Sequence, residues 1–410
     1  MFFLISLTID VNAQTPLTSC GTINTPGSYI LVNNVSSSGS CFTINSSNVN
    51  LNCQGKIIIF NGGPAISSQS RTDLSIINCE INQIGFNSTV GYGMYLFNIS
   101  HSVIENNSIN TIQPEDYSVL SKSNTFSSVN NSFIFNKISS SGSVAFGLFI
   151  DRSIKNSIIY NNISTSGNYG AGFLIDESYN NTVVSNNIST SGNSTASLLV
   201  SDFFAFYNNN NNISFNQIFA QGDFSYGASI SSSENIVSSN TIITLGSTTY
   251  TLRNIGKSNI IINNNIRALG NYATGFYVSG LYVLNAFNNI TFAYNNISTQ
   301  GINSDAISIS SSNNNSIIYN NISTLEANSD GLQIFGYNNH IFSNIISTEG
   351  SNAHDIRILA DYNNIIFNII SASGSSSNGI YLNFGDYNKI INNRIKTSNN
   401  ISINSYGIIL

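Results

Sequence analysis

The chain has 410 residues, of which only 8% are charged and 41% are hydrophobic. Its net charge of −6 comes from 19 acidic and 13 basic residues, and the absence of a basic run argues against nucleic acid or an anionic membrane as a partner. Beyond the first residues, no apolar run approaches the roughly 18 residues that a transmembrane helix needs. Short alternating runs of Ile, Val, Phe and Tyr indicate an ordered, β-rich chain rather than a disordered one.

Residues 1–14, MFFLISLTIDVNAQ, predict a signal peptide because a short apolar core precedes a Val-x-Ala ending. A positive first region is missing and Asp10 interrupts the core, so a buried first strand is the alternative. All four cysteines lie within residues 1–79, an even number confined to one end of the chain. Together these features predict secretion or display at the cell surface.

The ten residues NSIIYNNIST occur twice without a change, at 156–165 and at 315–324, and looser copies surround them. Weaker copies begin near Val49, Ser75 and Ser102, so residues 49–410 hold about fourteen units. The asparagines that open the clearer copies lie at 131, 156, 181, 212, 235, 259, 289, 315, 339, 364 and 388.

Each unit contains three short strand-like runs, such as GLFID at 147–151, SIIYN at 157–161 and NIST at 162–165. Three strands of four or five residues in a period of about 25 predict a right-handed parallel β-helix, an all-β solenoid whose successive turns pair with one another. Inward Ile, Val, Leu and Phe are expected to fill the tube, and Asn side chains are expected to stack at its corners. Residues 15–48 are predicted to form an N-terminal cap, and residues 49–410 the repeats.

Three units are longer than the others, and each excess falls between the GLFID-type and the SIIYN-type strand. The three insertions should therefore project from one side of the rod. Two of them are rich in aromatic residues and are predicted to contact a ligand or partner through Phe203, Phe204, Phe206, Tyr207, Tyr282 and Phe287.

The stretch 19–58, SCGTINTPGSYILVNNVSSSGSCFTINSSNVNLNCQGKII, resembles the N-terminal segment of secreted archaeal and bacterial β-helix repeat proteins, the NosD-like group of the pectate-lyase-like superfamily. In that group, a G-x-Y-x-L strand and a Cys-Phe-x-Ile strand lead into an L-[DN]-C-x-G-x-x-I rung. The resemblance covers about residues 19–410. It implies the fold and leaves the function open, because this scaffold carries adhesins, surface-layer proteins, lyases, hydrolases and epimerases.

The cysteines agree with this arrangement. Cys53 and Cys79 occupy matching places in adjacent rungs, where stacked strands place Cα atoms about 4.8 Å apart, within reach of a disulfide. Cys20 and Cys41 would then be joined in the cap. Four buried thiols are the alternative.

One group of polar residues stands out. Asp305, Asp330 and Asp355 are spaced by 25 residues, each just before a GLFID-type strand, with His354 and Arg357 nearby. The three aspartates are predicted to stack, and repulsion between them should raise the pKa of at least one carboxyl group. The three aspartates, His354 and Arg357 are the candidate catalytic residues, and a calcium ion between the carboxylates or a solvated corner is the alternative.

Residues 328–331, NSDG, resemble the N-T-D-G motif of polygalacturonase-type β-helix hydrolases. The paired Asp of that family is replaced by His354-Asp355, and its Gly-His-Gly by 377–379, SNG. Its R-I-K recurs at 394–396, but in a different strand of the rung. The resemblance therefore implies glycan chemistry without a complete catalytic set, and no Cys/His cluster has the spacing of metal ligands.

These observations predict a secreted or cell-surface structural or adhesive protein whose partners are surface glycans or further copies of itself. End-to-end stacking is expected because the chain stops at 406–410, YGIIL, within a strand that no polar cap covers. The alternative is a polysaccharide lyase, hydrolase or epimerase that uses the aspartates.

Overall fold

The computed structural model describes residues 14–85, 91–201, 209–280, 288–397 and 406–409. These residues form a parallel β-helix, which confirms the predicted fold class. The described part of the chain contains strands but no α-helix, and so no helix long and apolar enough to cross a membrane.

Three long parallel sheets, named A, B and C, run along the solenoid, with 16, 16 and 15 strands respectively. Sheet A contains Thr15–Leu17, Gly27–Leu31, Val49–Asn52, Leu74–Ile77, Val103–Glu105, Ser132–Ile134, Ser157–Ile159, Thr182–Val184, Asn212–Ser214, Ile236–Ser238, Ile260–Ile262, Thr291–Ala293, Ser316–Ile318, His340–Phe342, Asn364–Ile366 and Lys389–Ile391. Sheet B contains Gly21–Ile23, Phe42–Ile44, Gly63–Gln69, Gly91–Phe97, Tyr117–Lys122, Phe146–Asp151, Ala171–Asp176, Ala196–Ser201, Tyr226–Ile230, Tyr250–Asn254, Thr274–Ser279, Ile307–Ser310, Leu332–Ile334, Ile356–Ile358, Ile380–Leu382 and Ile408–Ile409. Sheet C contains Val35–Ser37, Ile57–Phe60, Glu80–Gln83, Ser108–Thr111, Lys137–Ser140, Asn162–Thr165, Asn187–Thr190, Gln217–Ala220, Thr241–Thr244, Asn265–Ala268, Asn296–Thr299, Asn321–Thr324, Ile345–Thr348, Ile369–Ala372 and Arg394–Thr397. A two-stranded sheet joins Ser128–Val129 to Ser153–Ile154.

The number of rungs agrees with the repeat. Two of the 16 strands of sheet A precede Val49, which leaves 14 from Val49 onward. The strands within residues 15–48 pair into the same three sheets, so the predicted cap continues the solenoid. Both predicted disulfides are confirmed: Cys20–Cys41 and Cys53–Cys79 join adjacent turns with Cα atoms 4.6 and 4.7 Å apart.

The core is a set of stacked aliphatic side chains because the inward position of each strand meets the same position one turn away. In sheet C, Ile138 lies over Ile163, which lies over Ile188, and all three are buried. Each rung therefore adds a layer to one continuous apolar column, and burial of these side chains is the main stabilising contribution.

The corner between sheets A and C is held by the "inner asparagine ladder", a column of twelve buried or half-buried asparagines. Its members are Asn107, Asn136, Asn161, Asn186, Asn216, Asn240, Asn264, Asn295, Asn320, Asn344, Asn368 and Asn393. The backbone N–H and the side-chain amide of Asn216 both donate to Oδ1 of Asn240, at 2.9 and 3.0 Å. The same pattern repeats along the column, so the asparagines of this corner satisfy one another's buried polar groups. Replacing one of them would leave buried donors of the preceding rung without an acceptor.

Sheet B presents two columns of side chains along its outer face. The "first outer file" consists of Tyr92, Tyr117, Phe146, Ala171, Ala196, Tyr226, Tyr250, Thr274, Asp305, Asp330, His354 and Asn378. The "second outer file" consists of Thr43, Ser67, Tyr95, Leu120, Phe149, Leu174, Leu199, Ser229, Arg253, Tyr277, Ser308, Gln333, Arg357 and Tyr381. Most of the aromatic and charged side chains discussed below belong to these two files.

Candidate functional site

Two of the three predicted aspartates lie together on the outer face of sheet B. Asp305 and Asp330 are consecutive members of the first outer file, and a carboxylate oxygen of Asp305 accepts the backbone N–H of Asp330 at 2.8 Å. Asp330 accepts the backbone N–H of His354 in the same way, also at 2.8 Å. The next position after Asp330 is therefore occupied by His354 rather than by Asp355.

The expectation that Asp355 stacks on Asp330 is wrong. The turn from Asp330 to its counterpart has 24 residues instead of 25, so Asp355 lies one position further along, level with Gly331. A shift of one residue moves a side chain from the outer to the inner face of a strand. The Asp355 carboxyl group is fully buried inside the tube, and neither oxygen has a hydrogen-bond partner among the described residues.

The imidazole of His354 continues the column of hydrogen bonds. Its Nδ1 accepts the backbone N–H of Asn378 at 3.2 Å, and the amide oxygen of Asn378 accepts the backbone N–H of Tyr406 at 2.9 Å. An Nδ1 that accepts a hydrogen bond carries no proton, so this geometry requires the neutral imidazole. Burial lowers the pKa of His354 in the same direction, against the opposing effect of Asp330.

Burial has the opposite effect on the neighbouring carboxyl groups because it penalises their charged form. Burial and the charge of Asp330 together raise the pKa of Asp305 to about 7. The pKa of Asp330 is also raised, mainly by burial, although hydrogen bonds and the nearby Arg357 oppose the shift. Burial therefore favours the uncharged form of two carboxyl groups and one imidazole on three consecutive rungs, and the pKa of Asp305 lies near neutral pH.

Arg357, in the second outer file, lies beside these groups. Its Nη1 is 3.8 Å from a carboxylate oxygen of Asp330, and about a third of its side chain (35%) is exposed. The guanidinium carbon lies 5.9 Å from the ring centre of Tyr381, and the Tyr381 ring stacks on His354 at 4.7 Å. The cluster of Asp305, Asp330, His354, Arg357 and Tyr381, here called the "polar cluster", thus presents a partly exposed cation beside proton donors and acceptors.

A bound cation is less easily accommodated. In the described part of the chain, no three His, Cys, Asp or Glu side chains are grouped so that they could hold a metal ion. One oxygen each of Asp305 and Asp330 already accepts a backbone N–H. Calcium between these carboxylates therefore stays a prediction with only two acidic ligands to support it.

The rungs before the polar cluster carry aromatic rings that the sequence reasoning missed. Tyr92 stacks on Tyr117 with ring centres 5.6 Å apart, and Tyr117 stacks on Phe146 at 5.3 Å. A second group follows, in which Tyr250 stacks on Tyr226 at 5.9 Å and on Tyr277 at 4.3 Å. The signal was present in the sequence, since an aromatic residue opens several GLFID-type strands. The predicted contact residues Phe203, Phe204, Phe206, Tyr207, Tyr282 and Phe287 lie outside the described residues.

The structure also limits the resemblance to polygalacturonase-type hydrolases, because it fixes the separations between the predicted carboxyl groups. Retaining glycosidases use carboxyl groups about 5 Å apart, whereas inverting enzymes place them about 6.5–9.5 Å apart. Asp305 and Asp330 are one rung apart, which corresponds to about 4.8 Å. The wider pair, Asp305 with Asp355, is not available on the surface because Asp355 points into the tube.

No protein-family model and no curated protein sequence matches the chain. Among solved structures, it is similar to the A-module of mannuronan C-5 epimerase AlgE6 from Azotobacter vinelandii, with 14% identity, a TM-score of 0.49, and coverage of 82% of this chain and 90% of that one. It is also similar to a double mutant of the periplasmic alginate epimerase AlgG, with 12% identity, a TM-score of 0.39, and coverage of 83% and 77%. A tailspike protein mutant of E. coli bacteriophage HK620, in complex with a pentasaccharide, has 10% identity, a TM-score of 0.36, and coverage of 93% and 72%. At these identities and TM-scores, the similarities assign neither a ligand nor an activity to this chain.

Proposed function

We propose that this protein is an extracellular adhesive β-helix that binds a surface polysaccharide along the outer face of sheet B. The observation that carries the proposal is the composition of the first outer file, which passes from stacked aromatic rings to the polar cluster. Rungs about 4.8 Å apart make this file roughly 50 Å long. A regular surface of this length suits a regular polymer.

The chemistry of the file favours a hydroxyl-rich ligand. Because stacked rings cover one another's faces, Tyr117 and Tyr250 offer solvent their ring edges and phenol groups. An amphipathic ring that combines an apolar body with a polar tip matches a sugar, which has C–H groups beside its hydroxyls. Arg357 at the far end adds a cation for an acidic group on the polymer.

The extracellular location belongs to the same proposal, and the two disulfides support it, because such bonds persist in oxidising compartments. End-to-end association of copies stays a prediction. Sedimentation velocity of the purified protein over a range of concentrations tests it.

Binding is tested by affinity electrophoresis and calorimetry against neutral and acidic polysaccharides. The variant Tyr117→Ser/Tyr250→Ser should bind about five- to 150-fold more weakly, since each lost aromatic contact is worth about 0.5–1.5 kcal/mol. The matched control is Tyr160→Ser/Tyr319→Ser, which removes two exposed tyrosines, 55% and 45% exposed, from the corner between sheets A and C.

The control variant should bind like the unmodified protein. Equal losses in the two double variants would place binding elsewhere and refute the role of sheet B. Failure of every polysaccharide to bind the unmodified protein would refute the proposal as a whole.

A specific observation favours a second candidate function, catalysis on a glycan. Asp305, with a pKa of about 7, and the neutral imidazole of His354 flank Asp330 on consecutive rungs, next to the Arg357 cation. A group whose pKa lies near the working pH serves well as a general acid or base. A lyase, hydrolase or epimerase reaction would use these groups.

Catalysis is tested by following polysaccharide mixtures with the protein by NMR for cleavage, unsaturation or a change of sugar configuration. Turnover that disappears in Asp330→Asn, with binding retained, would make the protein an enzyme. The variant Asp223→Asn, which changes an exposed aspartate on another corner, serves as the control. Calorimetric titration with calcium, before and after the Asp330→Asn change, tests the predicted ion.

A further inference from the structure

A groove of about 500 Å³ lies at the N-terminal end of the outer face of sheet B, apart from the polar cluster. Its lining includes Thr43, Asn45, Ser67, Gln69, Tyr92 and Tyr95. The volume falls within the range of pockets that hold small ligands, about 300–1,000 Å³.

A step in side-chain size creates this groove. Thr43, Ser67 and Tyr95 are consecutive members of the second outer file, so two small side chains are followed by a large ring. Pro64 precedes Tyr92 in the neighbouring column in the same way. The two tyrosines therefore form an end wall, and the short side chains on the preceding rungs form the floor.

The wall is rigid because its rings support one another. The rings of Tyr92 and Tyr95 meet edge to face at 5.1 Å, and Tyr95 also stacks on Phe97 at 6.3 Å. Tyr117 supports Tyr92 from the next rung at 5.6 Å. Toward the N-terminus, Tyr95 faces Ser67, which is too small to cover its ring. An aromatic surface is thus held open toward the groove.

The polar side chains that line this surface are uncharged, although the guanidinium of Arg71 donates a hydrogen bond to the amide oxygen of one of them, Asn45. Thr43, Ser67, Asn45 and Gln69 supply hydroxyl and amide groups that both donate and accept hydrogen bonds, and no described lining residue carries a charge. Burial raises the pKa of the Tyr95 phenol, which therefore remains a neutral hydrogen-bond donor well above neutral pH. A ligand that fits must combine an apolar face with an edge of neutral hydroxyls.

We propose that this groove is a binding site for one neutral hexopyranose unit, whose C–H face packs against the tyrosine wall and whose hydroxyls bond to the floor. A single sugar ring presents this pairing of an apolar face and a hydroxyl edge. A carboxylated or sulfated sugar would find no cation among the described lining residues to offset its desolvation, because the nearby Arg71 guanidinium already donates to the amide oxygen of Asn45 and to the backbone carbonyl of Ser70.

This inference rests on the proposed glycan binding and specifies the sugar that is held at one end of the face. In the first outer file, Tyr92 is nine rungs from Asp330, roughly 40 Å at the spacing of stacked strands. The groove and the polar cluster are therefore separate sites that one sugar ring cannot occupy together. Substitutions can therefore disable the groove without affecting the polar cluster, and the polar cluster without affecting the groove.

Saturation-transfer NMR of the full chain with the methyl glycosides of glucose, galactose and mannose, and with methyl glucuronide, tests the inference. At least one neutral glycoside should give a signal and methyl glucuronide none. Ser67→Tyr fills the groove, and Tyr95→Ser removes part of the wall. Tyr95→Ser should weaken binding about two- to twelvefold and Ser67→Tyr should abolish it, with far-UV circular dichroism unchanged in both variants.

The matched control is Tyr319→Ser, which removes an exposed tyrosine from the corner between sheets A and C and should leave glycoside binding unchanged. Neutral glycoside binding that survives both groove variants would overturn the inference, as would equal binding of methyl glucuronide. Polysaccharide binding without any neutral glycoside signal would overturn the inference and leave the proposed function standing. If neither polysaccharides nor glycosides bind, both are wrong.

Discussion

The carboxyl group of Asp355 should make the protein less stable as the pH rises through the range from 4 to 8. Its oxygens are buried and unpaired among the described residues, and burial raises its pKa to about 8. The neighbouring Thr348 favours the charged form of the Asp355 carboxyl group and so opposes the rise in its pKa. The Thr348 hydroxyl, however, donates to the backbone carbonyl of Ala353 at 3.2 Å. At neutral pH the folded protein therefore holds Asp355 as the uncharged acid.

The size of the effect follows from proton linkage. The ordinary pKa of aspartate is about 3.9, so between pH 4 and 8 the unfolded chain has lost a proton that the folded chain keeps. The free energy of unfolding then falls by about 1.4 kcal/mol per pH unit across this window. The stabilisation that comes from the proton on Asp355 is complete below about pH 4. About 4 kcal/mol of it is lost by pH 7, and the loss is complete above about pH 8.

The variant Asp355→Ser removes this titration. Ser118 and Ser197 occupy the same inner position on other rungs, where their hydroxyls bond to the threonine seven residues earlier, at 2.8 and 2.9 Å. Thr348 lies seven residues before Asp355, so the substitution supplies it with the same kind of partner. The difference in unfolding free energy between the variant and the unmodified protein should change by about 4 kcal/mol from pH 4 to pH 7, in favour of the variant.

Urea unfolding followed by circular dichroism at pH 4, 5.5 and 7 measures this difference, with Asp223→Asn as a control for the loss of an exposed carboxylate. A difference that stays constant with pH would refute the reasoning. So would a variant that is less stable than the unmodified protein at pH 7.

Three further changes test the scaffold by denaturant unfolding. Asn240→Ala should destabilise by about 3 kcal/mol or more, because two buried donors of the preceding rung lose their acceptor; no loss would show that the ladder is dispensable. Replacing Cys53 and Cys79 by serine should cost about 3–4 kcal/mol, as expected for a closed loop of 26 residues, and full reduction of both disulfides in the unmodified protein should cost more. Tyr272→Asn should stabilise by about 0.5–1 kcal/mol, because the exposed Tyr272 has φ 55°, which asparagine tolerates better than a bulky aromatic residue; destabilisation would show that the Tyr272 ring stabilises the fold.

Much of the fold was predictable because each rung repeats the same pattern of inward hydrophobic residues and corner asparagines. The recurrence of NSIIYNNIST predicts the number of turns, and the matching positions of Cys53 and Cys79 predict one disulfide. Once the period of the repeat is known, it alone predicts which residues stack on one another in adjacent rungs. The outer face of sheet B was less predictable, because its side chains do not repeat.

The misplacement of Asp355 shows where the sequence reasoning failed. Counting from one aspartate to the next gave a regular spacing of 25, which concealed a turn of 24 residues. Counting from the inner asparagine ladder gives the correct placement. Asp330 lies ten residues after Asn320 and His354 ten after Asn344, whereas Asp355 lies eleven after Asn344. The same offset of ten identifies Tyr117, Tyr226 and Tyr250 of the first outer file.

The constraint on the corner between sheets A and C contrasts with the freedom of the outer face of sheet B. The asparagine ladder fixes one corner, because each amide serves two donors of the preceding rung, as Asn264 does for Asn240 at 2.9 and 3.0 Å. A substitution there leaves buried donors unpaired, which costs about 1–3 kcal/mol each. In most rungs, the side chains at the outer positions of sheet B do not have to accept hydrogen bonds from buried donors. Tyrosine, alanine, threonine and aspartate replace one another there without breaking the column. A new ligand can therefore be accommodated on that face by exchanging side chains rung by rung, with the core unchanged.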